Sequence, residues 1–129
     1  MNYSLLAMEA QGNVIVMTNF ERAFPDDGFA RELDSLATLV ADKTFGKDNE
    51  YVISWKFIRH WWGHDNRDFI QMAEVKSWDD VTKADQKADE LFEKDLPTQE
   101  TRDEFNDAYN KYFTDKHSDE VYREVIFGK

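Results

Sequence analysis

The sequence predicts a single soluble α+β domain built on an antiparallel sheet, and three observations carry that reading. Residues 51 to 62 and 68 to 76 are aromatic and β-branched runs separated by Gly63, His64, Asp65 and Asn66, the composition of a hairpin. Segments with apolar residues at helical spacing lie on either side of it. The 129 residues are the size of one ordinary domain, and 41% apolar with 15% aromatic residues supply one core.

In chain order, residues 13 to 21 are apolar and β-branched without a breaker and read as a buried strand. Pro25, Asp26, Asp27 and Gly28 make a turn, with either aspartate able to cap a following helix. Phe29, Leu33, Leu36 and Val40 recur at helical spacing, so that helix runs from about Gly28 to Lys43. The long strand 51 to 62 alternates Tyr51, Ile53, Trp55, Phe57 and Trp61 on one face with Val52, Ile58, His60 and Trp62 on the other. Ser77 with Asp80 forms a short capping box before a helix to about Lys94. Leu96 and Pro97 end that helix, and Thr98 caps a third, 99 to 115, with Phe105, Ala108, Tyr109, Tyr112 and Phe113 as its stripe. Residues 118 to 129 fit a short helix or an edge strand. The expected organisation is one domain, 1 to 129, with a barrel-like unit at about 13 to 94 and a helical C-terminal extension at about 98 to 129.

Composition narrows function by exclusion. Without cysteine there is no disulfide, thiolate nucleophile or cysteine-type metal site. A net charge of −11 disfavours nucleic acid and anionic membrane, because both are polyanions. No run approaches the about 20 apolar residues of a membrane span, and the first twelve residues lack a basic leader. As written the chain is expected in the cytoplasm, with a trimmed exported form left open. No P-loop, dinucleotide fingerprint, nucleophile elbow or His-Glu-x-x-His is present.

The order strand, helix, strand, strand, helix begins a ferredoxin-like βαββα unit, in which helices cover one sheet face. The apolar groups on both faces of residues 51 to 62 imply that a second copy covers the other, so a homodimer is expected. Across residues 13 to 94 the chain resembles the dimeric α+β barrel superfamily of antibiotic-biosynthesis monooxygenase-like and stress-responsive proteins. The residues that carry the resemblance are the strand Val14 to Glu21, the loop from Phe24 to Phe29 with Pro25 and Gly28, and the junction Glu74-Val75-Lys76-Ser77-Trp78-Asp79-Asp80. The third helix departs from the family pattern, which closes with a fourth strand soon after the second. The haem-degrading branch pairs a first-strand Asn with a Trp and a His; Asn19 fits, but Val75 stands at the Trp position and residues 81 to 94 hold no histidine.

The chemistry-bearing segment is 59 to 67, where Arg59, His60, Trp61, Trp62, His64, Asp65 and Arg67 gather at a hairpin end. The bland alternative is that the indoles seal an interface and His64 to Asn66 only make the turn. His60 and His64 do not share a strand face, which argues against a metal site, and no cofactor is expected. The expected role is a small-molecule-binding barrel whose cavity holds Trp55, Phe57, Arg59, His60, Trp61, Met72 and Glu74 around a small aromatic ligand. The resemblance implies an alternative, a cofactor-independent monooxygenase or isomerase acting on a phenolic substrate, with Asn19, Arg59 and His60 as catalytic candidates. A purely structural module without a ligand is a further alternative.

Overall fold

The computed structural model describes residues 11 to 64 and 68 to 127; Asp65, Asn66 and Arg67 of the predicted hairpin turn lie outside the described residues. The chain forms β1 (Gln11–Arg22), α1 (Ala30–Val40), β2 (Val52–Arg59), β3 (Asp68–Val75), α2 (Trp78–Asp95), α3 (Gln99–Asn110) and β4 (Phe113–Val125). The sheet order is β2-β3-β1-β4, and each paired ladder is antiparallel. This is the ferredoxin-like α+β arrangement, with α3 inserted before the last strand.

Pairing of β1 with β3 places Val14, Val16, Thr18 and Phe20 beside Val75, Ala73, Gln71 and Phe69. Paired residues share a sheet face, so this row faces the helices. Leu33 and Ala37 of α1 pack with Phe69 and Tyr112, joined by Phe20, Phe57 and Phe113. Ala84 of α2 packs with Val14 and Val75, joined by Tyr51, Val52 and Val81. The aromatic rings form a connected row, Phe57 to Phe69 at 4.6 Å and Phe69 to Phe113 at 5.5 Å between centroids, and these contacts add to simple area burial.

Two polar residues tie the helices down. Asn49 is 2% exposed, and its amide donates to the carbonyls of Thr44 (2.9 Å) and Ala84 (3.0 Å) while its oxygen accepts from the Tyr51 N–H (3.2 Å). It thereby links the π-helical turn Ala41–Phe45 that ends α1, the middle of α2 and the start of β2. The Tyr112 hydroxyl accepts from the Phe29 N–H (3.0 Å) and donates to Glu32 (2.5 Å), fastening the start of α1 to the start of β4. Gly28 allows that clasp: a Cβ there would lie 2.8 Å from the Tyr112 ring and 2.6 Å from Pro25.

Several expectations are corrected. β2 ends at Arg59, not at residue 62, and Trp61 and Trp62 are 95% and 90% exposed beyond it. The alternation of residues 51 to 62 is interrupted by a register shift between Val52 and Ser54, so Val52 stays with the core while Ile53 is 55% exposed. Asp26 and Asp27 do not cap α1; its N-cap is Phe29, without a side-chain bond. Ser77 stands at the N-cap of α2, again without a side-chain bond, whereas Thr98 does cap α3 through the Thr101 N–H at 3.1 Å. The third helix stops at Asn110, and the C-terminal extension is not helical to its end. Phe113–Val125 is a 13-residue strand paired along β1, which leaves the first strand flanked on both sides.

Replacing Phe69, 1% exposed, by Ala is expected to destabilise by about 3–5 kcal/mol, whereas Ile53→Ala at the bulge should change stability by roughly 0.5 kcal/mol or less. Urea denaturation checks both; a large loss at Ile53 would mean that the bulge is absent.

Candidate functional site

The helix face of β2 meets α1 in an open cleft of about 370 Å³, lined by Trp55, Phe57, Arg59 and Phe69 from the sheet and by Asp34 and Thr38 from α1. The aromatic wall is ordered by its own contacts: Trp55 stacks on Phe45 at 5.7 Å and meets Phe57 edge-on at 4.5 Å. The Trp55 indole nitrogen is buried and has no hydrogen-bond partner among the described residues. Buried N–H groups are normally satisfied, so this donor has spare capacity for an acceptor. Arg59 sits above the Phe69 ring at 5.9 Å and pairs with the Asp34 carboxylate.

Arg22 lies near this pair at the end of β1. Its Nε is buried without a hydrogen-bond partner among the described residues, and its guanidinium packs over the Phe24 ring at 4.9 Å. Burial first, then the Arg59 charge, weakens its hold on a proton, and Asp34 partly offsets both.

Of the seven residues expected around a ligand, the structure brings together Trp55, Phe57 and Arg59. Met72 pairs with Lys56 and Met17 on the opposite face of the sheet. Glu74 is also there, where Asn13 and Ser54 each donate to it at 2.8 Å and hold its carboxyl below the usual range. His60 follows the end of β2, its N–H directed at the Asp68 carbonyl (3.4 Å), and Trp61 is in solvent. Asn19 pairs with Ile70 and donates to Ser118 at 3.4 Å on the open face, so Asn19 and Arg59 lie on opposite faces of one chain. Asp34 and Thr38 were not singled out in the sequence; they lie one turn apart on α1, and only the fold turns that side toward β2.

A second, more enclosed cavity of about 300 Å³ lies between the sheet and α2, with Thr18, Gln71, Asp85 and Asp119 among mostly apolar walls. Phe45 and Asp85 also line a groove of about 520 Å³ between α2 and α3. Thr18 donates to Asp119 at 2.8 Å. Asp85 is solvent-exposed as a residue, yet its carboxyl is pushed above the ordinary range, by burial first and then by the charges of Asp89 and Asp119. Burial also keeps the Tyr109 hydroxyl, in the same groove, protonated well past its usual range. Among the described residues no group of three or more His, Asp or Glu is placed to hold a metal ion, and no helix is long and apolar enough to cross a membrane.

No protein-family model matches the chain, and no curated protein matches it significantly. Solved structures do. The chain is similar to SnoaB, a cofactor-independent oxygenase from Streptomyces nogalater, at TM-score 0.52 and 13% identity over 88% of this chain and 96% of that one. It is similar to a candidate antibiotic biosynthesis monooxygenase from Caulobacter crescentus at TM-score 0.56 and 12% identity, covering 90% and 92%. A dimeric protein of unknown function with a ferredoxin-like fold from Bacteroides fragilis gives TM-score 0.52 and 11% identity over 88% and 98%. At such identities the likeness is one of fold. The class defined is therefore the ferredoxin-like α+β fold shared by antibiotic-biosynthesis monooxygenase-like proteins.

A raised carboxyl is favoured in its protonated form by folding. Its stabilising contribution is complete below the unfolded value of about 3.9 and is lost as pH rises through the folded value. Asp85→Asn should therefore raise the thermal midpoint at pH 7, by a small margin because solvent screens the group, and the gain should vanish toward pH 3. A midpoint lowered at pH 7 would show that the charge is wanted there.

Proposed function

We propose that the protein binds a small aromatic molecule in the cleft between α1 and β2. The observation that carries this reading is the combination, in one cleft, of three aromatic rings, a buried indole N–H with no acceptor among the described residues and an arginine at the rim. Its volume falls within the few hundred Å³ of small-ligand sites, and the mix of apolar walls with a few polar groups is what such sites require. Thr38→Trp tests it, because Thr38 is exposed and lines the cleft without contributing to the core. In the unmodified protein, a panel of aromatic acids and phenols should raise the thermal midpoint, by about 3 kcal/mol equivalent at a hundredfold excess over Kd. Thr38→Trp should keep the unliganded midpoint and lose that gain; a gain retained in full would move the site elsewhere.

The fold likeness to SnoaB favours, as a second reading, oxygenation of a bound phenol without a cofactor. That chemistry asks the protein for a dry pocket and groups that hold a phenolate, leaving the electron-rich substrate to meet oxygen. Ligand-dependent oxygen uptake that disappears in Arg59→Ala would promote it over binding alone.

The sheet face away from the helices carries Ile15, Met17, Ile58, Ile70 and Met72, with Tyr122 on β4. A second copy of the chain is the occupant we assign to it, supported by the dimeric ferredoxin-like proteins of the same fold. Met72→Glu should convert a species of twice the 15.3 kDa chain mass into a single chain in size-exclusion light scattering. An unmodified protein that is already monomeric at micromolar concentration would overturn the assignment.

A further inference from the structure

We infer that the ligand of the α1/β2 cleft is an aromatic carboxylate, bound by Arg59 in exchange for Asp34 with Arg22 as a second positive charge. This rests on the cleft being a ligand site, as proposed above, and adds the charge and chemistry of what enters it.

The first argument is one of sign. The chain carries a net −11, yet the charged side chains that face this cleft are Arg59 and Asp34, and Arg22 stands close enough to feel both, so the three together leave one positive charge in excess. A locally cationic wall on an anionic protein concentrates an anion there and nowhere around the acid-lined cavity of Asp85 and Asp119.

The second argument concerns Asp34 itself. Its contact with Arg59 is a carboxylate already docked on the guanidinium, so it marks where a ligand carboxylate would sit. The pair is wet, with the two side chains 52% and 43% exposed, and such pairs contribute little to stability. A carboxylate arriving from solution therefore displaces Asp34 at small cost. Only one N–H of Arg59 is committed to Asp34, whereas the planar guanidinium can grip a carboxylate with two.

The third argument is the unused donor of the cleft wall. Trp55 Nε1 has no acceptor among the described residues, and a carboxylate is acceptor-only with two oxygens. Trp55 and Phe57, each only partly covered, supply the faces against which an aromatic ring packs.

The test is calorimetric titration with 2-naphthoate and its neutral isostere 2-naphthamide, on the unmodified protein and on Asp34→Asn, Arg59→Gln and Arg22→Gln, each checked for an unchanged circular dichroism spectrum. Naphthoate is expected to bind at least about tenfold more tightly than the amide, and more weakly as salt rises. Asp34→Asn, which removes the competing carboxylate, should tighten naphthoate several-fold and leave the amide unchanged. Arg59→Gln should abolish the preference, and Arg22→Gln should reduce it. If the amide binds as well as the acid, or Asp34→Asn leaves naphthoate unaltered, the carboxylate assignment falls while the cleft stands. If neither compound binds although phenols stabilise the protein through Thr38, the assignment falls alone; if phenols fail as well, the cleft reading falls with it. Should Arg59→Gln not fold, Arg59→Lys, which keeps the charge but loses the planar fork, should still cut the preference.

Discussion

The pairing of β1 with β3 is the constraint on which the rest of this molecule depends. With Val14 opposite Val75 and Phe20 opposite Phe69, every second residue of the two central strands is committed to the helices and every other to the outside. A slip by one residue would exchange the two sets and put Ile15, Met17, Ile70 and Met72 beneath α1 and α2 in place of Val14, Phe69, Ala73 and Val75. The small side chain of Ala73 lies in the helix-facing row between the bulkier Phe69 and Val75, with the second cavity beside it. The same parity places Arg59 and Trp55 on one side and Asn19, Met72 and Glu74 on the other, so it decides which side chains can act together.

Packing explains why the cleft exists at all. The aromatic row from Phe57 through Phe69 to Phe113 fills the space under the first half of α1. Asn49 then holds the turn after α1 to α2 through buried hydrogen bonds, which costs stability if either partner is lost. Between those two fixed points α1 stands off the edge strand β2. Trp55 and Phe57 are consequently only partly covered, and the gap above them is the cleft. An edge strand has no neighbour beyond it to close such a gap.

Charge divides the surface in a way that suits this geometry. The acidic side chains concentrate on α2 and α3, where they serve solvation, and Asp85 of α2 with Asp119 of β4 faces the second cavity, while Arg22 and Arg59 meet at the ends of β1 and β2. An anion approaching this net-negative protein meets two guanidinium groups together where Arg22 and Arg59 lie. Specificity of that kind comes from the contrast between the local and global fields, and needs no metal to create it.

The sequence by itself determined the elements whose signals are local. Two β-branched and aromatic runs around a Gly-containing turn made the hairpin legible, Leu33, Leu36 and Val40 made α1 legible, and Thr98 with Pro97 marked the start of α3. It also determined that Trp55, Phe57 and Arg59 stand at alternate positions on one strand, which is why these three remain together in the cleft. What the tertiary structure decided is everything that depends on a partner far away in the chain. The bulge at Ile53 reverses the alternation because Val52 is drawn to the Val14, Val75 and Ala84 cluster, and no property of residues 51 to 54 alone announces that. Residues 113 to 115, expected to continue the third helix, and residues from 118 onward, which fit helix or strand, are extended as far as Val125 because β1 offers them a free edge. Met72 and Glu74 leave the expected site because face is set by register, and register is a relation between strands. Asp34 enters it because a helix surface residue acquires a role only when the fold brings a guanidinium to it.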